Sequence, residues 1–371
     1  MKKVLFVATV TRHINTFHIP YLKMFKEKGY EVHVASKGEE QIEYCDKHYN
    51  LPFERFPLKK DNLKVYKQLK KIIDENSYEI VHCHTPVGGV LARLASRKAR
   101  KNGSKVIYTA HGFHFYKGAP LINWLIYYPI EKICARWTDC LITITNEDYE
   151  FAKKHLKTRR IEHVYGVGLN TERFSQTMSE SQKREKKKEF EIRDNDIVFS
   201  YVAELNKNKN QKLLINVVKE LRKQFSNIKL LLVGNGPMLE EYKKIIRDNK
   251  LEENIKLLGK RKDINEILYI TDIYLASSLR EGLPVNVMEA MYKGLPIIAT
   301  DNRGHRELIE NNINGIIINS TNPKDFILEI NKLIKDKNKR YEYGKNSKVK
   351  VEIFLLNSVQ EELENIYEFN K

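Results

Sequence analysis

Long apolar runs are missing from this sequence of 371 residues. No stretch reaches the roughly 18 consecutive apolar residues that a membrane-spanning helix needs. Cysteine is scarce, with four in all (Cys45, Cys83, Cys134 and Cys140), no C-x-x-C pair and no zinc-type spacing. That excludes a disulfide framework and leads to the expectation of a reduced, cytoplasmic chain. Lys2 and Lys3 lead into only about seven apolar residues with no small-residue cleavage site, so the start reads as a strand and not as a signal peptide. Glycine is absent where a nicotinamide enzyme needs it. The first strand carries none at its end, and Gly234-Asn235-Gly236-Pro237 lacks the third glycine of the dinucleotide fingerprint.

Acidic charge is also in short supply. The chain has 65 Lys and Arg against 48 Asp and Glu, a formal charge of +17, and residues 1–175 hold 30 of the basic groups against 18 acidic ones. A basic first half points to a polyanionic partner: nucleic acid, an anionic membrane face or a phosphorylated substrate. A Lys-, Asn- and Ile-rich composition produces the same excess with no partner at all. Nucleic acid fits least well, because aromatic and basic residues are not interleaved as base stacking requires.

What is present is an alternation of short apolar runs and helical periods. The runs at 4–9, 31–35, 80–84, 105–109 and 141–144 read as strands separated by helices, the first of these helices over 17–28 and stopped by Gly29. Further runs at 197–203, 229–233, 255–258, 273–276, 296–299 and 315–318 repeat the rhythm. The fold class is therefore α/β, with two doubly wound parallel-sheet domains. The boundaries are placed at 1–173, a charged linker over 174–195, 196–350, and a helical stretch 351–371 returning to the first domain. Ligands of such sheets collect at the carboxyl ends of the strands. In the first domain these ends carry His13, His18, His84 and His111.

The most informative stretch is Ser278-Leu279-Arg280-Glu281-Gly282-Leu283-Pro284-Val285-Asn286-Val287-Met288-Glu289-Ala290. Gly282 removes a Cβ from the loop, Pro284 suits a first helical turn, and Gly294 ends the helix expected over 284–292. The N–H groups near Leu283, Val285 and Asn286 have no partner inside the helix and form an anion site. Glu281 precedes that site. Glu289 lies about 7 Å further along the axis, and its side chain leans back toward the helix start. A phosphate-sized hole flanked by two sugar-binding carboxylates suits a nucleotide sugar. Spacing alone carries nothing here, since 35 Glu in the chain give roughly three such pairs by chance. The loop-and-helix context carries the reading.

Other candidates weigh less. Asp194-Asn195-Asp196 spells a D-x-D, but in a polar turn before a strand, so no metal role is expected. His82 and His84 flank a cysteine that points the other way along a strand, and with no further ligands nearby in sequence a metal site is not expected there either. Lys207 and Lys209, in a strand-exit loop, suit a diphosphate leaving group, as they would suit plain solvent.

Together, Glu281-Gly282-Leu283-Pro284 with Glu289, Lys209, Gly234-Asn235-Gly236-Pro237 and Thr109-Ala110-His111-Gly112 resemble the retaining glycosyltransferases of family 4. The resemblance covers essentially the whole chain and is most specific over 278–308. Phe17-His18-Ile19-Pro20-Tyr21-Leu22 and His82-Cys83-His84-Thr85-Pro86 resemble, more narrowly, bacterial capsule and exopolysaccharide enzymes. The resemblance implies the GT-B fold, two Rossmann-like domains facing across a cleft. It implies that Glu289 binds the ribose, Glu281 the donor sugar and Lys209 the diphosphate. The amides of the stretch Leu283 to Asn286 take sugar and phosphate oxygens, with Gly282, Pro284 and Val285 in the same donor-binding loop and helix start, and Arg261 lies by the base; the turn at Gly234, read from the residues, places it at the nucleoside. His111 faces the transferred sugar, while His13, His18 and His84 belong to the acceptor side. Two departures stand out. Glu204 occupies a place where most members have Arg, and Thr11-Arg12-His13 replaces the usual Gly-Gly pair.

The resemblance thus leads to an expected retaining, metal-independent transfer of a hexose or N-acetylhexosamine from a UDP-linked donor to a lipid-linked saccharide. Neither cofactor nor nucleic acid is expected. Residues 119–130 are too short to span a bilayer but rich in interfacial aromatics, and Arg93, Arg97, Lys98, Arg100, Lys101 and Lys105 lie near them in sequence. This suggests peripheral attachment at the inner face of the cell membrane, although a buried core helix gives the same pattern. A sugar-nucleotide epimerase of the same fold is the alternative.

Overall fold

Each apolar run read as a strand lies in one of two all-parallel sheets. The first holds β1 (Lys3–Val10), β2 (Glu31–Lys37), β3 (Lys47–Asn50), β4 (Ile80–His84), β5 (Lys105–Ala110), β6 (Cys140–Thr143) and β7 (Arg160–His163). Its order is β3-β2-β1-β4-β5-β6-β7. The second holds β8 (Ile197–Val202), β9 (Ile228–Val233), β10 (Ile255–Gly259), β11 (Ile273–Ala276), β12 (Ile297–Thr300) and β13 (Gly315–Ile318), in the order β10-β9-β8-β11-β12-β13. The computed structural model describes residues 1–57, 59–116 and 118–369. The chain divides into a unit of Met1–Gly168 with the residues from Val359 on, and a unit of Leu169–Ser358.

Central strands are apolar because helices cover both faces of the sheet. Every residue of β4 and of β11 is buried. The edge strands β3 and β7 escape a sequence reading, since Lys-His-Tyr-Asn and Arg-Ile-Glu-His contain no apolar run. In both sheets the order reverses beside the first strand, between β1 and β4 and between β8 and β11. A parallel sheet opens a crevice at such a point, beyond the carboxyl ends of the strands.

Several expectations need correction. The single helix over 17–28 is two, Thr11–Phe17 and Ile19–Glu27, broken at His18 with Pro20 in the first turn of the second. Proline has no N–H to continue the first helix. The break leaves His18 buried at the junction. Residues 174–195 are not a free linker. Their helix Glu180–Glu189 opens with a capping box at Ser179 and Gln182 and belongs to the second unit. Phe190 and Ile192 are buried behind it, and Lys186 reaches Asp263 at 2.7 Å. The last helix among the described residues is Leu356–Tyr367, whose Tyr367 ring packs 4.8 Å from that of Phe25.

The basic cluster over 93–105 is also corrected. Arg93 is fully buried and forms a bidentate pair with Glu131 at 2.5 and 3.0 Å, lying 3.9 Å over the Tyr108 ring. A buried guanidinium demands such a partner. Arg100 pairs with Asp139 and Lys105 with Glu368. The neighbouring helix Leu121–Cys134 is amphipathic in an unusual sense. Trp124, Tyr127 and Tyr128 pack on the core, while Leu121 and Leu125 are 80% and 73% exposed and Ile122 is exposed beside them.

Candidate functional site

At the β8/β11 crevice two loops are laced together. Leu279 N–H donates to Asn208 O (2.8 Å), Asn208 Nδ2 to Arg280 O (2.9 Å) and Ser277 Oγ to Lys209 O (2.8 Å). The lacing brings Lys209 Nζ into an ion pair with Glu281, both side chains being largely buried. From the other side Thr300 Oγ1 and Asn302 Nδ2 donate to Ser278 O at 2.5 and 2.9 Å. Gly304 completes the clamp, because a Cβ there would lie 2.4 Å from Gly282 O. The Glu281-Gly282 turn is thus fixed by backbone contacts before any ligand is considered.

The helix beyond this turn is Val285–Tyr292, one residue shorter at its start than expected, with Pro284 as an extended cap that supplies no side-chain bond to the first turn. The first-turn N–H groups of such a helix remain available to an anion. The Asn286 side chain is already used, donating to Val202 O (2.7 Å) and to Tyr274 Oη (3.0 Å). Glu289 is 4% exposed and ion-paired to Arg173, which projects from the turn Glu172–Phe174. To the two carboxylates expected beside the anion site the structure adds a counterion each. Each acid is matched by a cation, Glu281 by Lys209 and Glu289 by Arg173. A charge buried this far requires a counterion. Sequence reasoning missed Arg173, which is 116 residues from its partner and sits in no motif.

The remaining donor-side candidates divide. Gly234 has φ +141°, and a Cβ there would meet Ala203 O at 2.0 Å, so only glycine lets the β9 exit lie against the β8 exit. Lys207 is exposed. Glu204 is exposed too, accepting from Asn206 at 2.9 Å. Arg261 donates to Asp263 (2.8 Å) and Glu189 (2.7 Å) and lies over the Phe190 ring, tying the β10 exit to the helix Glu180–Glu189. The hydrogen bonds from Arg261, with help from Lys186, hold the Asp263 carboxyl well below the usual carboxylate range. Asp196 accepts from Arg193 N–H at 2.8 Å and closes its turn, which accounts for the D-x-D. A second residue that the sequence did not single out is His305. It is fully buried, donates from Nδ1 to Thr300 O (2.6 Å), and leaves Nε2 without a partner. Burial lowers its pKa, opposed by the nearby Glu281 charge.

The β1/β4 crevice of the first unit is built differently. His13 and His18 follow β1, His84 ends β4 and His111 follows β5. Their ligating nitrogens all lie within 4.8 Å of one another. His13 Nε2 is 3.2 Å from His18 Nε2, and His111 Nε2 is 3.3 Å from His84 Nδ1. The sequence places no further ligand near His82 and His84 in the chain, yet three imidazoles stand beside His84 in space. They arrive from other strand ends, which linear spacing does not reveal. Burial drives the imidazoles neutral: His13 falls to about 4, and His18, His84 and His111 are lowered well below the ordinary value. His82 is a satisfied core histidine, bonded to Thr109 Oγ1 (2.8 Å) and Tyr367 Oη (2.7 Å). Thr85, next to His84, has φ +63°, a strained geometry held by Thr9 N–H and Oγ1 at 3.0 and 2.7 Å.

Two family models match the chain: Glycosyl transferases group 1 over residues 182–350 and Glycosyl transferase 4-like over residues 3–146. The chain belongs to these glycosyl transferases. Among relatives, this glycosyltransferase is 47% identical over 333 residues to EpsD of Bacillus subtilis (strain 168), itself named as a candidate glycosyltransferase, covering 90% of this chain and 87% of EpsD. It is 30% identical over 282 residues to the UDP-Gal:alpha-D-GlcNAc-diphosphoundecaprenol alpha-1,3-galactosyltransferase of Escherichia coli, covering 75% of this chain and 71% of that one. Its fold matches Anabaena HepE, solved in complex with UDP-glucose, with TM-score 0.78 and 18% identity over 99% of this chain and 100% of that chain. The fold is GT-B.

Proposed function

We propose that this glycosyltransferase is a retaining, metal-independent enzyme that moves a hexose or N-acetylhexosamine from a UDP-linked donor to a lipid-linked saccharide during capsule or exopolysaccharide synthesis. The observation that carries the reading is the Lys209–Glu281 pair, clamped beside the open end of the helix Val285–Tyr292. As the glycosidic bond breaks, the diphosphate gathers negative charge. A fixed ammonium and fixed amides stabilise that charge without reorganising, so no divalent ion is asked of this step. In this reading Glu281 orients Lys209 and meets the donor sugar, Glu289 meets the ribose, and His111 keeps the place at the transferred sugar that the resemblance gives it. Being neutral, His111 acts as a hydrogen-bond partner. The residues supply no evident carboxylate nucleophile, which favours front-face attack, with the departing phosphate taking the acceptor's proton.

The name of the Escherichia coli relative, with its diphosphoundecaprenol acceptor, supports a lipid-linked acceptor. The exposed Leu121, Ile122 and Leu125, on a helix anchored by aromatics, support peripheral attachment at the inner membrane face. No helix among the described residues is long and apolar enough to cross a membrane. The epimerase alternative is not favoured, because both family models are those of transferases. A panel of nucleotide sugars scored by thermal stabilisation tests the donor, since a selective ligand raises the melting temperature by mass action. One UDP-sugar should stand out, and Lys209→Ala should abolish its effect. Equal response to every nucleotide sugar would sink the donor assignment, and an inverted anomeric centre in the product would sink retention.

A further inference from the structure

The four-histidine cluster of the first unit has a geometry that hydrogen bonding alone does not require. Its rings come from separate elements: His13 from the helix after β1, His18 from the break between two helices, His84 from the last position of β4 and His111 from the loop after β5. No carboxylate belongs to the cluster. Ring centroids lie between 3.9 Å (His18–His84) and 6.2 Å (His13–His84) apart. Zinc–imidazole bonds of 2.0–2.1 Å at tetrahedral angles place neighbouring ligand nitrogens about 3.4 Å apart. The two closest nitrogen pairs, at 3.2 and 3.3 Å, match that edge.

We propose that His13, His18, His84 and His111 form a binding site for a divalent first-row transition ion of the zinc type. Imidazole ligands suit zinc, cobalt, nickel and copper, and disfavour magnesium and calcium, which take oxygen. The half-buried His13 and His111 form the entry side, and the buried His18 and His84 form the floor. Burial already keeps the rings in the neutral form that a metal ligand needs. Strain at Thr85 is consistent with a backbone committed to holding His84 in place. The site shares His111 with the proposed function, so a bound ion would take that nitrogen from the sugar, while Lys209 and the amides of the other unit are untouched.

The test is cobalt titration of the full chain after chelator treatment. One equivalent should bind with the intense visible absorption of a tetrahedral cobalt centre, and one equivalent of zinc should displace it. His18→Gln and His84→Gln should each weaken binding at least about 10-fold, whereas the exposed His155→Gln should leave it unchanged. No stoichiometric cobalt, or only the weak spectrum of an octahedral surface adduct, overturns the proposal in the unaltered chain, whatever the variants do. Full-affinity tetrahedral binding in folded His18→Gln and His84→Gln variants overturns it as well. UDP-sugar stabilisation measured on the same samples reads the donor site separately, so the two proposals can fail independently.

Discussion

The two crevices share strand order, parallel pairing and a reversal beside the first strand, yet they are equipped with opposite chemistries. The second unit carries charge in matched pairs, Lys209 with Glu281 and Arg173 with Glu289, at an open helix end. The first unit carries neutral imidazoles without a carboxylate among them. The fold therefore fixes where a ligand goes and not what it is. A charged pair holds its cation ready for a phosphate. A neutral cluster suits a sugar, a proton relay or a metal.

Removing charge from the second unit tests that contrast most severely. Lys209→Ala should lower kcat/KM by about 10²–10³-fold, close to the loss of one preorganised donor to a developing anion, and steady-state kinetics checks it. Replacing His18 or His84 of the first unit by Gln should leave UDP-sugar affinity intact. If both changes cost the same donor affinity, the division of labour is wrong. Next in size comes the second pair. Glu289→Ala should weaken nucleotide-sugar binding sharply in calorimetry, and Arg173→Ala, which strands a buried carboxylate, should cost about 2 kcal/mol of stability. A double-mutant cycle should find the two coupled, and simple additivity would show that the pair is incidental.

Acid should separate the units. A histidine whose folded pKa is lowered, as His13 is to about 4 from 6.5, favours the neutral form in the folded chain. As pH falls below 6.5 the unfolded chain takes up protons first, so stability drops across the window from 6.5 to about 4. Hydrogen exchange on the metal-free chain should show β1, β4 and β5 losing protection in that window before β8 and β11 do. Simultaneous loss in both sheets would contradict the comparison. The smallest effect belongs to the surface. Leu121→Glu with Leu125→Glu should reduce binding to anionic vesicles by about 10-fold, through the loss of exposed apolar area, with donor affinity unchanged. Retained vesicle binding would leave the helix with no membrane role.

Much of the loop-helix motif of the second unit was legible because its geometry is local. Glu281, Gly282, Pro284 and Glu289 lie within one loop and one helix, and their spacing constrains their geometry directly. The charge state was not legible. That Glu289 meets Arg173, and that Arg93 is buried on Glu131 and no part of a basic patch, depends on contacts between residues far apart in the chain. The edge strands β3 and β7 were hidden for a related reason. An edge strand is defined by its neighbour's unpaired backbone, and its own side chains need carry no apolar signal.

What the amino-acid order determined by itself is the alternation of buried runs and helices, hence two parallel sheets, and the loop-helix motif at one of them. Both arise from periodicity and turn chemistry, which act over a few residues. Only the tertiary structure decided that four histidines from separate strand ends and helix junctions meet within 4.8 Å, and which acid faces which cation. Parallel strands bring their carboxyl ends to one edge whatever the intervening length, so residues far apart in the chain become neighbours with no trace in their spacing.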